Sequence, residues 1–332
     1  MLPPQTAPFD RSIEFIGKTD KIQVPTRLRK LRILVSVVAL AILSGIIFQT
    51  DLTALKQALS RISWNATICG LLLVQVQIVL SALRWRFTSM RLGQDITPFK
   101  AIGEYYVATL LNQVLPGGMG GDVLRAWRMR GDEPGGWKKP AKAVIFERLS
   151  GQVALAVVAV IGLSVWPYIT NADPGSNTRR HVVLVAVVSA LILLIIVWFK
   201  TQEVTESAFR EDLVNTFIRH NAWLLQLFMS AIILFAYIAT FFIAAHATGS
   251  NLPWLAGISI IPFCLLAMLI PTGFGGWGTR EAAAMALWPA LGLSSVEGLA
   301  ASVTYGWLCL AGAAPGIVFL TLAAVMKRAG KA

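Results

Sequence analysis

Pro116-Gly-Gly-Met-Gly-Gly-Asp-Val-Leu-Arg125 and Pro271-Thr-Gly-Phe-Gly-Gly-Trp-Gly-Thr-Arg280 are one pattern, P-x-G-x-G-G-x-x-x-R, written twice in a chain of 332 residues. Each copy follows a short apolar stretch, Ala101 to Leu115 and Trp254 to Ile270. Each is followed by a second helical-looking stretch, Asp122 to Arg130 and Trp277 to Leu291. Pro, Gly and Arg do not suit a helix facing lipid, where freed backbone groups find no water. Two half-helices meeting at a Gly-rich bend describe a re-entrant hairpin. Broken helices at corresponding places in two halves are the sequence mark of a repeat-built membrane transporter.

Working outward, continuous apolar blocks near 31–49, 64–83, 143–168, 181–199, 222–247 and 296–325 are each long enough to cross a hydrocarbon core of about 30 Å. With 56% hydrophobic and 14% charged residues, the chain reads as an all-α polytopic membrane protein. It should have about six full transmembrane helices and two re-entrant hairpins. The alternating pattern of an outer-membrane barrel is absent, and no stretch between spans is long enough for a separate folded domain. The expected organisation is a mobile tail over 1–30, one membrane domain over 31–326 and a short tail over 327–332.

The net charge of +12 comes from basic residues flanking apolar blocks, with no basic domain of the kind that binds nucleic acid. Lys and Arg gather before the first span, after the second (Arg84, Arg86, Arg91), before the third (Arg125 to Lys142) and at the C-terminus, which places these segments in the cytoplasm. They can share that side only if 101–130 enters and leaves by one face. The second hairpin, 254–291, then enters from outside, and both termini lie inside. The order span, span, hairpin, span thus occurs twice with opposite orientation, over about 31–168 and 181–325. Pro271 follows Pro116 by 155 residues, about half the chain. Cys69, Cys264 and Cys309 lie in apolar surroundings and read as packing residues. His181, His220 and His246 are scattered, with no metal-ligand spacing.

The run from Asn112 to Trp127, the Phe146-Glu-Arg-Leu-Ser-Gly151 segment and the run from Ile270 to Glu281, in that order, resemble the transmembrane region of the lysylphosphatidylglycerol synthase family. The resemblance covers roughly residues 30 to 325. It implies a flippase-like module that moves a lipid between leaflets of a bacterial inner membrane. In the full synthases a separate soluble domain transfers lysine to phosphatidylglycerol. The present chain ends at Ala332 with no room for it, so aminoacyl transfer is not expected.

Arg125 and Arg280 are the first candidate ligands for a lipid phosphate, because a guanidinium in a membrane segment needs water, a carboxylate or a phosphate beside it. Gly117, Gly118, Gly120 and Gly121 precede one helix and Gly273, Gly275 and Gly276 another, so bare N–H groups at a positive helix end could face a common anion. Trp277 and Gly278 leave the second copy the more open of the two, whereas Asp122 could cap the first. Asp122, Glu147, Arg148 and Glu281 are candidates for gating or charge pairing, with cross-repeat pairs such as Glu147 with Arg280 or Arg125 with Glu281. Internal pairing of either Glu-Arg dipeptide is not to be assumed, since neighbours on a helix diverge by about 100°. Asn112 and Gln113 should satisfy backbone freed by the break, and Pro116 and Pro271 should end the incoming half-helices. Glu104, Tyr105 and Tyr106 read as an interfacial helix end. No cofactor and no metal are implied. The expected partners are the membrane lipid itself, an envelope-lipid biosynthesis enzyme and a second copy of the chain. A membrane enzyme acting on lipid phosphates and a non-transporting lipid-binding scaffold are the alternatives.

Overall fold

The computed structural model describes residues 52–115, 117–131, 136–170, 206–270 and 275–329, and every regular element among them is helical. The expected spans at 31–49 and 181–199, the N-terminal tail, residues 330–332 of the C-terminal tail, Pro116, Pro271 and Gly273 lie outside the described residues. A short helix, α1 (Leu52–Ser60), stands where the sequence suggested an external loop. Next come α2 (Trp64–Arg91), the half-helices α3 (Pro98–Val114) and α4 (Gly120–Arg128), and α5 (Lys138–Thr170). After α6 (Glu206–Phe217) the same series returns as α7 (Ala222–Ala247), the half-helices α8 (Ala256–Ala267) and α9 (Thr279–Leu287), and then α10 (Ser295–Gly312) and α11 (Pro315–Ala329).

Local chemistry sets several of these ends. Ser63 Oγ caps α2 by accepting from Ala66 N at 3.2 Å. Ser294 and Glu297 form a reciprocal box at the start of α10, with Glu297 Oε2 accepting from Ser294 N at 2.8 Å. Pro98 opens α3 at a position where its missing N–H costs nothing, whereas Pro315 separates α11 from α10. Four apolar helices, 64–91, 138–163, 222–247 and the combined 295–322, are long enough to span. Their exposed faces are apolar at helical spacing, as in Ile68, Leu72 and Val76 of α2 and Val153, Val157 and Ile161 of α5. This is the face a helix presents to lipid.

The packing is that of two equivalent halves. α2 lies on α3, α5, α7 and α10, and α7 correspondingly lies on α8, α10, α2 and α5. α5 crosses α8 where Gly162 leaves no room for a side chain, since a Cβ there would sit 1.9 Å from the Ile258 carbonyl oxygen. α11 crosses α3 in the same manner at Gly316, 2.7 Å from the Tyr106 carbonyl oxygen by the same construction.

The seam between α2 and α7 fixes their relative direction. Gln77 Nε2 donates to Thr240 Oγ1 at 2.7 Å, Arg84 Nη1 to Ser230 Oγ at 2.9 Å, and Gln226 Nε2 to Thr88 Oγ1 at 3.1 Å. Numbering rises along one helix as it falls along the other, so equivalent helices run antiparallel. The pairs 84/230 and 88/226 extrapolate to a crossing near Val79 and Leu234, which are themselves 155 residues apart. Each helix therefore crosses its counterpart near mid-span, as two halves related by a two-fold axis in the membrane plane would do.

Candidate functional site

The two Gly-rich bends meet at the centre. Gly118 and Gly275 adopt left-handed backbone at φ 64° and 55°, a region that favours glycine. A Cβ on Gly118 would lie 3.7 Å from the Gly275 Cα, and one on Gly275 would lie 2.8 Å from the Gln113 Cα. The tips touch backbone to backbone. Beneath them a cavity of about 300 Å³ reaches α2, α5, α7 and α10. Its wall includes Gly117, Gly118, Asn112 and Gln113 from the first hairpin, and Gly275 and Gly276 from the second. Gly120 and Gly121 do not line it. Gly121 instead lets α4 close on α3, for a Cβ there would fall 2.0 Å from the Ala108 carbonyl oxygen.

The charges are arranged differently from the expectation. Arg125 and Arg280 are enclosed, at 1% and 0% exposure, and neither lines the cavity. Arg125 Nη2 binds Asp122 Oδ1 at 2.8 Å and approaches Glu147 Oε2 at 3.5 Å, and the guanidinium lies over Trp85 and Tyr105 at 4.5 and 4.3 Å from their ring centroids. Arg280 pairs with the adjacent Glu281 and donates from Nε to Ser302 Oγ at 2.9 Å, with the rings of Trp277 and Tyr305 at 5.1 and 5.0 Å. A buried cation stays charged only beside compensating charge and ring faces, and here those are supplied from within. Arg125 and Arg280, expected as phosphate ligands, are thus compensated from within and stand outside the cavity wall. They hold the second half-helix of each hairpin to the helix that follows.

The expected cross-repeat ion pairs do not form, because each arginine finds its acid within its own half. Arg280 and Glu281 do pair internally, although they are adjacent on one helix. Glu147 and Arg148 turn to different partners. Glu147 Oε1 accepts from Arg84 Nη2 at 2.8 Å and from Tyr105 Oη at 3.1 Å, while Arg148 Nη2 binds Asp122 Oδ2 at 2.5 Å.

Several N–H groups at the starts of the second half-helices have acceptors within the chain. Asn112 Oδ1 accepts from Gly121 N at 2.8 Å and Asp122 N at 3.3 Å, and Asn112 Nδ2 donates to Asp122 Oδ2 at 3.0 Å. Asn112 thus does the structural work assigned to it, and it rather than Asp122 caps α4. In the second copy Glu281 Oε2 takes Gly278 N at 2.6 Å. An acceptor from within the chain thus reaches the start of the second half-helix in this copy too.

Glu147 and Arg148, both sequence candidates, line the cavity, but sequence reasoning missed several other groups that face it. Arg84, read as a cytoplasmic charge, is only 4% exposed and stands in the cavity wall. The signal was present, since Gln77, Ser81, Arg84 and Thr88 recur at helical spacing and give α2 one polar stripe. Tyr105, Tyr237 and Gln152 also line the cavity. Glu104, read as an interfacial marker, is buried and bridges to Arg128 at 2.9 Å. Arg148 is the most accessible cation of the cluster, its side chain 42% exposed. Around the cavity three arginines, Arg84, Arg125 and Arg148, meet two carboxylates, Asp122 and Glu147, so one positive charge is left over.

The sequence model of the family described as the lysylphosphatidylglycerol synthase TM region matches residues 31–316. No curated protein matches the chain.

Proposed function

Because the chain belongs to the lysylphosphatidylglycerol synthase transmembrane family, a multi-pass membrane family tied to membrane-lipid chemistry, we propose that it carries a phosphate-bearing lipid between leaflets. The observation that carries this reading is the central cavity. It lies between two antiparallel halves, beneath two touching hairpin tips, and its polar cluster has an unbalanced positive charge. A head group of opposite sign would sit there while its chains remain in the bilayer. Rocking of one half against the other about the α2–α7 seam would expose that site to each leaflet in turn. The membrane is the bacterial inner membrane, with both termini cytoplasmic, and the cargo is of the phospholipid or polyprenyl-phosphate type. No chemical step and no cofactor is assigned to the chain.

Purified protein in vesicles with head-group-labelled phospholipids or polyprenyl phosphates tests the proposal. Labelled lipid should cross between leaflets faster than in protein-free vesicles. Leu269→Trp narrows the cavity from a half-exposed position and should return the rate to near the protein-free value. Chemical conversion of the lipid without movement between leaflets would replace transport by catalysis.

A further inference from the structure

The halves are equivalent in fold but not in the chemistry they show the cavity. Its charged wall residues, Arg84, Glu147 and Arg148, all come from the first half. At the positions 155 residues later stand Ala239, Ser302 and Val303. The second half instead lines the cavity mainly with apolar groups, among them Ile233, Leu265, Met268 and Leu269. One wall thus suits an ionic head group and the opposite wall suits hydrocarbon.

Within the charged wall the three arginines are not alike. Arg84 and Arg125 are 4% and 0% exposed at the side chain and are shared between firmly held acceptors. Arg148 has a 42% exposed side chain and a single carboxylate partner, Asp122. Asp122 would keep Arg125 at 2.8 Å and Asn112 at 3.0 Å if Arg148 moved away. Release of Arg148 therefore leaves no carboxylate stranded, and among the three arginines it is the one whose side chain is open to the cavity.

Resting on the proposed transport reading, we propose that Arg148 is the exchangeable head-group ligand. Its guanidinium leaves Asp122 to take the phosphodiester of a lipid with one net negative charge, and the chains lie against the second half. The guanidinium fork matches two phosphate oxygens. The one excess positive charge of the cluster is balanced by one phosphodiester, whereas a zwitterionic head group brings an ammonium into a site that has no carboxylate to spare.

The test is lipid binding to the full chain in nanodiscs of zwitterionic lipid, titrated with a phosphatidylglycerol-type lipid and read by native mass spectrometry. The unaltered protein should prefer this lipid to a choline lipid. Arg148→Gln should weaken its binding by at least about tenfold with the melting temperature retained, and Arg148→Lys, which keeps the charge but loses the fork, should fall between. Arg148→Gln binding as well as the unaltered protein overturns the assignment, and so does a choline lipid binding equally well. Water-soluble glycerophosphoglycerol should bind far more weakly. Equal binding by it would make the site one for free phosphodiesters. The vesicle assay separates this inference from the reading beneath it. Arg148-dependent binding without movement between leaflets ends the transport reading alone, and transport that Arg148→Gln leaves intact ends the ligand assignment alone.

Discussion

At the scale of single residues, the arginines of this protein do two kinds of work, and burial separates them. Arg125 and Arg280 are sealed between aromatic rings and acids, so their loss should be felt by the fold. Arg280→Ala leaves Glu281 buried without its cation and should lower stability by about 3–5 kcal/mol. Glu147→Ala, which leaves the buried Arg84 without its carboxylate, should cost a similar amount. Thermal unfolding in detergent, followed by tryptophan fluorescence, measures both. Arg148→Gln, which leaves Asp122 with Arg125 and Asn112, should cost less than either in the same experiment. An Arg280→Ala protein as stable as the parent would return that residue to the list of ligands. The repeat pattern pointed to the arginines correctly as exceptional residues, but a sequence cannot say whether a guanidinium meets a phosphate or a neighbouring carboxylate. Glu281 is the case in point. Its backbone diverges from that of Arg280, yet its side chain bends back to bridge Arg280 and cap Gly278 at once.

At the scale of elements, the hairpins depend on close backbone approach. Gly121→Ala would drive a methyl group into the Ala108 carbonyl and should separate α4 from α3 at a cost of at least about 1–3 kcal/mol. Gly117→Ala meets nothing within 4 Å and should show only the strain of its φ of 88°, about 1–2 kcal/mol. Size-exclusion profiles and melting temperatures of the two variants should rank them in that order. The bends and both half-helices were legible because Pro and Gly interrupt apolar runs at fixed offsets. The half-helix ends fall within a few residues of expectation, Pro98–Val114 against 101–115 and Ala256–Ala267 against 254–270. α1 was not legible, being short and lying between charged and polar residues where a loop was equally consistent. The full length of α2 was missed for a different reason. Hydropathy ends the span before Arg84, yet the helix runs on to Arg91 because Glu147 and Ser230 receive the guanidinium.

At the scale of the whole molecule, the inverted relation of the halves makes a prediction that ordinary short loops would not. In a background lacking the native cysteines, Gln77→Cys with Thr240→Cys, and Thr88→Cys with Gln226→Cys, should each be joined by a short bifunctional thiol reagent. Parallel helices cannot satisfy both pairs, so cross-linking at only one height would remove the antiparallel seam. Cysteine placed at Met119, which is exposed near the first tip, should react with an impermeant label from the cytoplasmic side, and cysteine at Trp254 from the outer side. Overall architecture could be read from the chain because the interval of 155 residues relates both bends and both arginines. The site could not, because it draws on α2, α3, α5 and α7, whose cavity-facing side chains come together only after packing.

That same interval, followed past the motif, relates Gly151 to Gly306 and Glu147 to Ser302. Each glycine makes room for an arginine, Arg84 in one half and Arg280 in the other, but only one half keeps a carboxylate at the second position. Two identical halves rocking about their shared axis would exchange states of equal energy and dwell in each for the same time. With the charge confined to one half, that degeneracy is lifted. If the halves rock as proposed, one orientation is the resting one, and a cargo would reverse it only by binding the other more tightly.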